Sequence, residues 1–152
     1  MEFFTWAVQP LKKYADFSGR ASRAEFWYFF LFVALVQAAG RILDTIFGGR
    51  SSMPGPFSAL LVLLLIVPQV AVAVRRLHDV NRSGRELIVP GVMLLAMPIA
   101  LAFRTLLGGI VALGYYGLLL LMFGRILSLL IKKGSTIPNR YGACPTAFSF
   151  GA

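Results

Sequence analysis

The stretch Phe57-Ser58-Ala59-Leu60-Leu61-Val62-Leu63-Leu64-Leu65-Ile66-Val67-Pro68-Gln69-Val70-Ala71-Val72-Ala73-Val74-Arg75-Arg76-Leu77-His78-Asp79 decides the fold. From Phe57 to Val74 it is apolar apart from Ser58 and Gln69, with no period of 3.6 or 2 that would leave one face for water. A helix needs about 20 such residues to cross about 30 Å of hydrocarbon. The run then stops at a basic pair, which belongs among headgroups rather than in lipid.

Three further blocks flank it: Ala24 to Phe47, Leu87 to Phe103 and Leu106 to Ile131. The whole chain of 152 residues is 58% hydrophobic and only 14% charged, with mean hydropathy +0.77. A soluble domain carries about a quarter charged residues. The expectation is therefore an all-α membrane protein with four transmembrane helices. An amphipathic interfacial segment at 1–17 precedes a membrane domain at 18–145 and a short tail at 146–152. Ala7, Val8, Leu11 and Tyr14 fall on one face of the first segment while Lys12 and Lys13 turn elsewhere. Pro10 is expected to kink or divide it.

Orientation follows from the basic residues. Lys12, Lys13, Arg20 and Arg23 precede the first span; Arg75, Arg76, Arg82 and Arg85 lie between the second and third; Arg125, Lys132, Lys133 and Arg140 end the fourth span and follow it. Only Arg41, Arg50 and Arg104 lie toward the other side. The positive-inside rule then puts both termini in the cytoplasm. The start Met1-Glu2-Phe3-Phe4 lacks the basic region of a cleavable signal, so the first span is expected to be an uncleaved anchor. Arg41 and Asp44 are spaced to pair near the far interface. Arg104-Thr105 is almost the entire third connection, so the last two spans should form a tight hairpin, with Gly108 and Gly109 allowing close approach.

The net charge of +9 does not form a continuous patch, because the basic residues flank apolar blocks. Topology and attraction to anionic headgroups account for it, and nucleic acid is not an expected partner. The single cysteine, Cys144, excludes an intrachain disulfide and a cysteine metal cage. No cofactor or metal is expected. The expected partners are membrane lipids with anionic headgroups, with a second copy or another membrane protein as the other class.

Ser22-Arg23-Ala24-Glu25 and Ser83-Gly84-Arg85-Glu86 both read as capping boxes, serine taking a free N–H and glutamate reaching back. The doubled basic residues after spans two and four admit an internal repeat, although topology alone explains them. The densest chemistry is Arg75-Arg76-Leu77-His78-Asp79 with Asn81-Arg82-Ser83-Gly84. On a helix, Arg75, His78 and Asp79 share a face, so Asp79 can orient His78 or neutralise an arginine. A general-base reading of His78 and Asp79 lacks a spaced nucleophile or a second metal ligand, and a polar latch is the stronger reading. Separately, Arg125 lies seven residues before Lys132 and Gln69 six before Arg75, so both sit about 9–10 Å inside the basic boundary. An ionisable residue at that depth marks a site, and Pro68 frees a backbone carbonyl one turn earlier. Pro90 and Pro98 are expected to bend span three, and Gly114-Tyr115-Tyr116-Gly117 to serve helix packing.

Three segments carry a family resemblance: residues Tyr14 to Trp27 (YADFSGRASRAEFW), Arg75-Arg76-Leu77-His78-Asp79 with Arg82-Ser83-Gly84, and Pro138-Asn139-Arg140-Tyr141-Gly142. In this order and spacing the chain resembles the domain-of-unknown-function family 805, small four-span proteins of the bacterial cytoplasmic membrane. The resemblance covers about residues 10–145 and implies fold and location, but no activity. Arg85-Glu86 stands where family members often carry tryptophans. The leading expectation is a non-enzymatic membrane protein. Its polar cap of Arg20, Arg23, Glu25, Arg75, Arg76, His78, Asp79, Arg82, Asn139 and Arg140 pairs internally or holds an anionic headgroup. The alternative is a small oligomeric transporter or channel using Gln69 and Arg125, and an enzyme using His78 and Asp79 ranks last.

Overall fold

The computed structural model describes residues 2–48 and 55–145, so Arg50 and the tail 146–152 lie outside the described residues. Four α-helices run in order: α1 (Glu2–Lys12), α2 (Arg23–Gly48), α3 (Pro56–Asp79) and α4 (Ile88–Ile131), with a 3-10 turn at Gly84–Leu87 before α4. Among the described residues there is no strand, only an isolated bridge between Asn139 and Gly142. Among the described residues three segments are long and apolar enough to cross a membrane: Arg23–Gly48, Pro56–Asp79 and Gly108–Ile131. At 1.5 Å per residue α3 is about 36 Å long. It runs beyond Val74, where the apolar block ends, and carries the basic cluster as its last turn.

α4 is not one rod. Gly108 has φ 74° and ψ 160°, outside the helical region. Only glycine reaches such a φ without a Cβ penalty. In a straight helix Met93 and Tyr115 would stand about 33 Å apart. Instead Tyr115 Oη donates to the carbonyl of Met93, and Arg125 Nη2 donates to Glu86 Oε2 at 3.0 Å. The two halves therefore fold back on each other, and the break falls at Gly108 rather than at Arg104-Thr105. Pro90 occupies the first turn of α4, where its missing N–H costs nothing; Pro98 lies inside the helix.

α2 and α3 form the best-packed pair, α1 lies against α2, and α4 touches α3 sparsely. The crossing of α2 and α3 is set by small residues. A Cβ at Gly40 would fall 2.6 Å from Leu61 Cδ1 and 3.3 Å from Ser58 Cα, so glycine is what lets the backbones approach. At the same end Asp44 is buried and accepts from Phe57 N (2.9 Å) and Ser58 N (3.0 Å). α3 begins with Gly55-Pro56 and has no side-chain cap of its own, so α2 supplies the cap that its free N–H groups require. Asp44 thus serves the start of α3, a role beyond the pairing with Arg41 that its spacing suggested.

α1 continues through Pro10 as one helix, contrary to the expected division. Ala7 and Pro10 are buried against the bundle. Beyond α1, Tyr14 Oη donates to the carbonyl of Leu64 at 2.5 Å. That carbonyl is the one Pro68 leaves without its i+4 N–H, and in lipid no water replaces the missing donor. The core lies toward the end where the chain is basic, around Phe29, Val33, Leu65, Val72, Leu77 and Leu130.

Removing the Tyr14 hydroxyl should destabilise the fold by about 1–3 kcal/mol, the cost of an acceptor left unsatisfied where lipid rather than water surrounds it. Pro68→Ala restores an N–H to the same carbonyl. Tyr14→Phe is therefore expected to lower the melting temperature in the native background and to have little effect in the Pro68→Ala background. Equal losses in both would disprove the assignment.

Candidate functional site

The starts of α2 and α4, the ends of α3 and α4, and the segment 132–145 meet at one end of the bundle. The chain reaches this arrangement through local stops. Two residues past the end of α3, Asn81 takes φ 58°, a left-handed position that asparagine tolerates. Arg82 N and Val80 N bond back to Leu77 O at 2.9 and 3.1 Å, and Asn81 N to His78 O at 3.0 Å. Gly19 turns the chain at φ 75° and delivers Arg20 to the end of α3, where Ala21 N bonds Arg75 O at 3.0 Å. Just before it, the Ser18 hydroxyl and N–H both donate to Asp16, holding that carboxyl below the usual carboxylate range.

At the centre is Asp79, 4% exposed and shared by two buried arginines. Arg20 reaches Oδ1 through Nε at 3.0 Å and Nη2 at 2.8 Å, and Arg76 Nη1 reaches Oδ2. Each arginine spends its remaining donors on carbonyls. Arg76 binds Leu130 O at 3.0 Å and also Lys132 O, so it caps the C-terminus of α4. Arg20 binds Ile137 O at 3.1 Å, Gly142 O at 3.4 Å and also Ser135 O. Ser135 N completes the ring by donating to Asp79 O at 2.9 Å. Gly134 packs so closely that a Cβ there would collide with the Asp79 carboxylate.

Arg75 takes a different partner. Arg75 and Arg76 are successive on one helix, about 100° apart, so they address different carboxylates. Arg75 Nη2 lies 3.2 Å from Glu25 Oε1, with both side chains at least 95% buried. None of the Arg75 guanidinium nitrogens makes a hydrogen bond of good geometry. The contact is a charge pair without directional bonds, at a buried place where an uncompensated charge is expensive.

The segment after α4 folds as a tight turn in which Asn139 and Gly142 exchange backbone bonds at 3.1 and 3.0 Å. Asn139 Nδ2 donates to His78 O and Asn139 Oδ1 accepts from Tyr141 N, both at 2.9 Å. The Tyr141 ring stacks on His78, centroids 3.8 Å apart and planes 3° from parallel. Arg140 lies over the same tyrosine ring at 4.8 Å and reaches Asn81 O at 3.5 Å. His78 Nδ1 sits 3.0 Å from Gly19 O, which can only accept, so this nitrogen carries the proton. Asp79 neutralises arginines, and the contacts of His78 are to a carbonyl and a tyrosine.

Only one of the two expected capping boxes closes. At Ser22 both halves form, Glu25 N donating to Ser22 Oγ at 3.1 Å and Ser22 N–H donating to the Glu25 carboxylate, which also pairs with Arg75. At Ser83 the hydroxyl accepts from Arg85 N at 3.3 Å, while Glu86 pairs with Arg82 at 3.6 Å and Arg125 at 3.0 Å. An arginine competes better for a glutamate than a backbone N–H does. Gln69 and Arg125 share a depth in sequence, yet no hydrogen bond joins them; Gln69 lines an apolar cavity and Arg125 reaches Glu86. Arg23 is exposed. Gly134, Ser135 and the carbonyls of Leu130, Lys132 and Ile137 also build the site, and nothing in their side-chain chemistry singles them out in the sequence.

The family described as "Protein of unknown function (DUF805)" matches residues 14–143. "Inner membrane protein YhaI" of Escherichia coli K12 is 42% identical over 80 residues, and "Inner membrane protein YhaH" of the same organism 37% identical over 80 residues. Each match covers 52% of this chain, with 64% of YhaI and 66% of YhaH spanned. No solved structure matches the chain.

Breaking a buried ion pair costs about 3–5 kcal/mol, whereas replacing both partners by apolar residues can be neutral. Glu25→Gln should therefore lower thermal stability strongly, and Glu25→Leu with Arg75→Met should recover most of it. A double variant no more stable than the single one would show that Glu25 and Arg75 do not act as a pair.

Proposed function

The chain belongs to the family DUF805, and we propose that it is a four-span inner-membrane protein without enzymatic activity, both termini cytoplasmic, whose basic end holds the anionic leaflet. The observation that carries this reading is the division of charge at that end. Arg20, Arg76 and Asp79 are buried and bonded to one another or to backbone, so they form a lock rather than a ligand site. Lys12, Lys13, Arg23, Arg82, Arg85, Arg125, Lys132, Lys133 and Arg140 stay exposed around it, against the partly exposed Asp16 and Glu86. A cationic rim at the level where apolar helices stop fits phosphate headgroups.

The fourth span in this reading is the half of α4 before Gly108. Its length of about 30 Å matches the hydrocarbon core, and the Tyr115 and Glu86 contacts bring it alongside Gly108–Ile131. Both halves then cross, which returns the segment after Ile131 to the side where α2 begins. A transporter or channel through Gln69 and Arg125 draws less support, because Arg125 is engaged by Glu86.

Two measurements test the proposal. In a Cys144→Ser background, Thr136→Cys should react with a membrane-impermeant maleimide only from the cytoplasmic side, and Gly48→Cys only from the other. Thr136→Cys labelled from outside would overturn the topology. In nanodiscs, phosphatidylglycerol should stabilise the native chain relative to phosphatidylcholine, at about 1 kcal/mol per basic residue near the surface. Replacing Lys12, Lys13, Lys132 and Lys133 by Gln should remove most of that difference; an undiminished difference would refute the leaflet reading.

A further inference from the structure

An apolar cavity of about 590 Å³ opens along the seam between α3, the Gly84–Leu87 turn and the two halves of α4. The volume lies within the range of about 300–1,000 Å³ found for small-molecule sites. Val70, Leu87, Gly91, Leu95 and Phe123 are among its walls, and Gln69 is their one polar side chain. From Leu87 to Leu95 the cavity descends about 12 Å into the apolar zone. Gly84 fixes its upper edge, since a Cβ there would lie 2.7 Å from Val74 Cγ1 and push the turn off α3.

Charged residues neighbour that edge in sequence, beside the lining residues Gly84, Leu87 and Ile126. Arg82 and Arg125 both lean on the single carboxylate of Glu86, at 3.6 and 3.0 Å, with their side chains 55% and 58% exposed. Arg85 is exposed beside them. Three guanidiniums against one carboxylate leave net positive charge and free donors on residues adjoining the turn and helix that wall the slot. Arginine binds phosphate oxygens through two parallel N–H groups, which lysine cannot do.

We infer that this seam is a binding site for one anionic phospholipid, with an acyl chain in the cavity and its phosphate held by Arg82 and Arg125. The inference rests on the proposed reading of this end as the one facing headgroups. It differs in asking for one lipid at one place, where the cationic rim as a whole asks only for a charged surface. Gly91 provides the test because it lines the cavity and a Cβ there would meet nothing within 4 Å. A side chain can therefore start from this wall of the cavity without its Cβ meeting protein.

The full chain in detergent is titrated with phosphatidylglycerol or phosphatidylcholine and followed by native mass spectrometry. The native protein should retain one phosphatidylglycerol, roughly tenfold tighter than phosphatidylcholine, the scale expected of a charge-assisted hydrogen bond. Gly91→Leu should abolish retention of both lipids, while Gly117→Leu, also in open space but away from the cavity, should not. Arg82→Gln with Arg125→Gln should bring the two lipids to equal affinity. Should Gly91→Leu fail to fold, a Phe123→Trp chain reports directly: brominated phosphatidylglycerol should quench it at lower concentration than brominated phosphatidylcholine. Equal retention or quenching by the two lipids would overturn the headgroup assignment. Retention by a folded Gly91→Leu protein would overturn the cavity, as would finding that this change removes a dimer instead of a lipid. Because the lysines of the rim are untouched, their variants fail or succeed separately from these.

Discussion

Asp79 carries more of this architecture than any other side chain, because one carboxylate organises four separate pieces of chain. It belongs to α3, it receives Arg20 from the segment before α2, and it receives Arg76 from its own last turn. Those arginines in turn hold the end of α4 and the segment 135–142 through backbone carbonyls. Two guanidiniums on one carboxylate leave a net positive charge in a buried place, which the Coulomb energy of the ion pairs alone does not neutralise. The carbonyls supply the rest. Leu130 lies in the last turn of α4, where unbonded carbonyls concentrate the negative end of the helix dipole. Arg76 is thus placed between a carboxylate and a helix terminus, each of which would be poorly satisfied without it.

The same logic separates two adjacent arginines. Arg75 and Arg76 look equivalent as a basic pair after an apolar run, and the positive-inside rule treats them alike. On the helix they diverge by about 100°, so Arg76 turns to Asp79 and Arg75 to Glu25. Arg76, held within α3 by Asp79, ties α3 to the end of α4 through the Leu130 and Lys132 carbonyls, and the Arg75–Glu25 pair ties α3 to the start of α2. Both are buried, so neither arginine is available to a headgroup, and any interaction with lipid falls to cations outside the lock.

How far this was legible beforehand depends on the range of each interaction. Helical blocks are written in local composition, so α2, α3 and the apolar content of α4 follow from the residues themselves. The carbonyl freed by Pro68 is likewise local, but that Tyr14 would fill it is not, since the two are 50 residues apart. The capping boxes divide in a similar way. Ser22 and Glu25 close theirs locally, with Arg75 as an added partner of the carboxylate, while Ser83 binds a nearby N–H and Glu86 pairs with Arg82 and with Arg125, which is distant in sequence. Glu86 with Arg125 was within reach, because a hairpin turning near Arg104 brings those positions opposite each other. Gly134 was not, since its importance lies in the absence of a side chain beside a carboxylate it does not bond.

The two ends of the bundle are built on different terms, and this shapes the middle. α2 and α3 are fastened at both ends, by Asp44 at one and by Glu25 with Arg75 at the other, with Gly40 letting the backbones close between them. α4 is fastened to them at the basic end, through Arg76 and the packing of Leu130, and its contacts with α3 are sparse. In water such a seam would collapse to bury its leucines. In a bilayer the surrounding chains are as apolar as the helices, so no hydrophobic force closes it and only shape complementarity can. Gly91 and Gly84 withhold that complementarity, the first by leaving space and the second by setting the turn close to α3. A rigid polar end with an open apolar seam beneath it is therefore a stable arrangement in a membrane, with hydrocarbon as the natural filling.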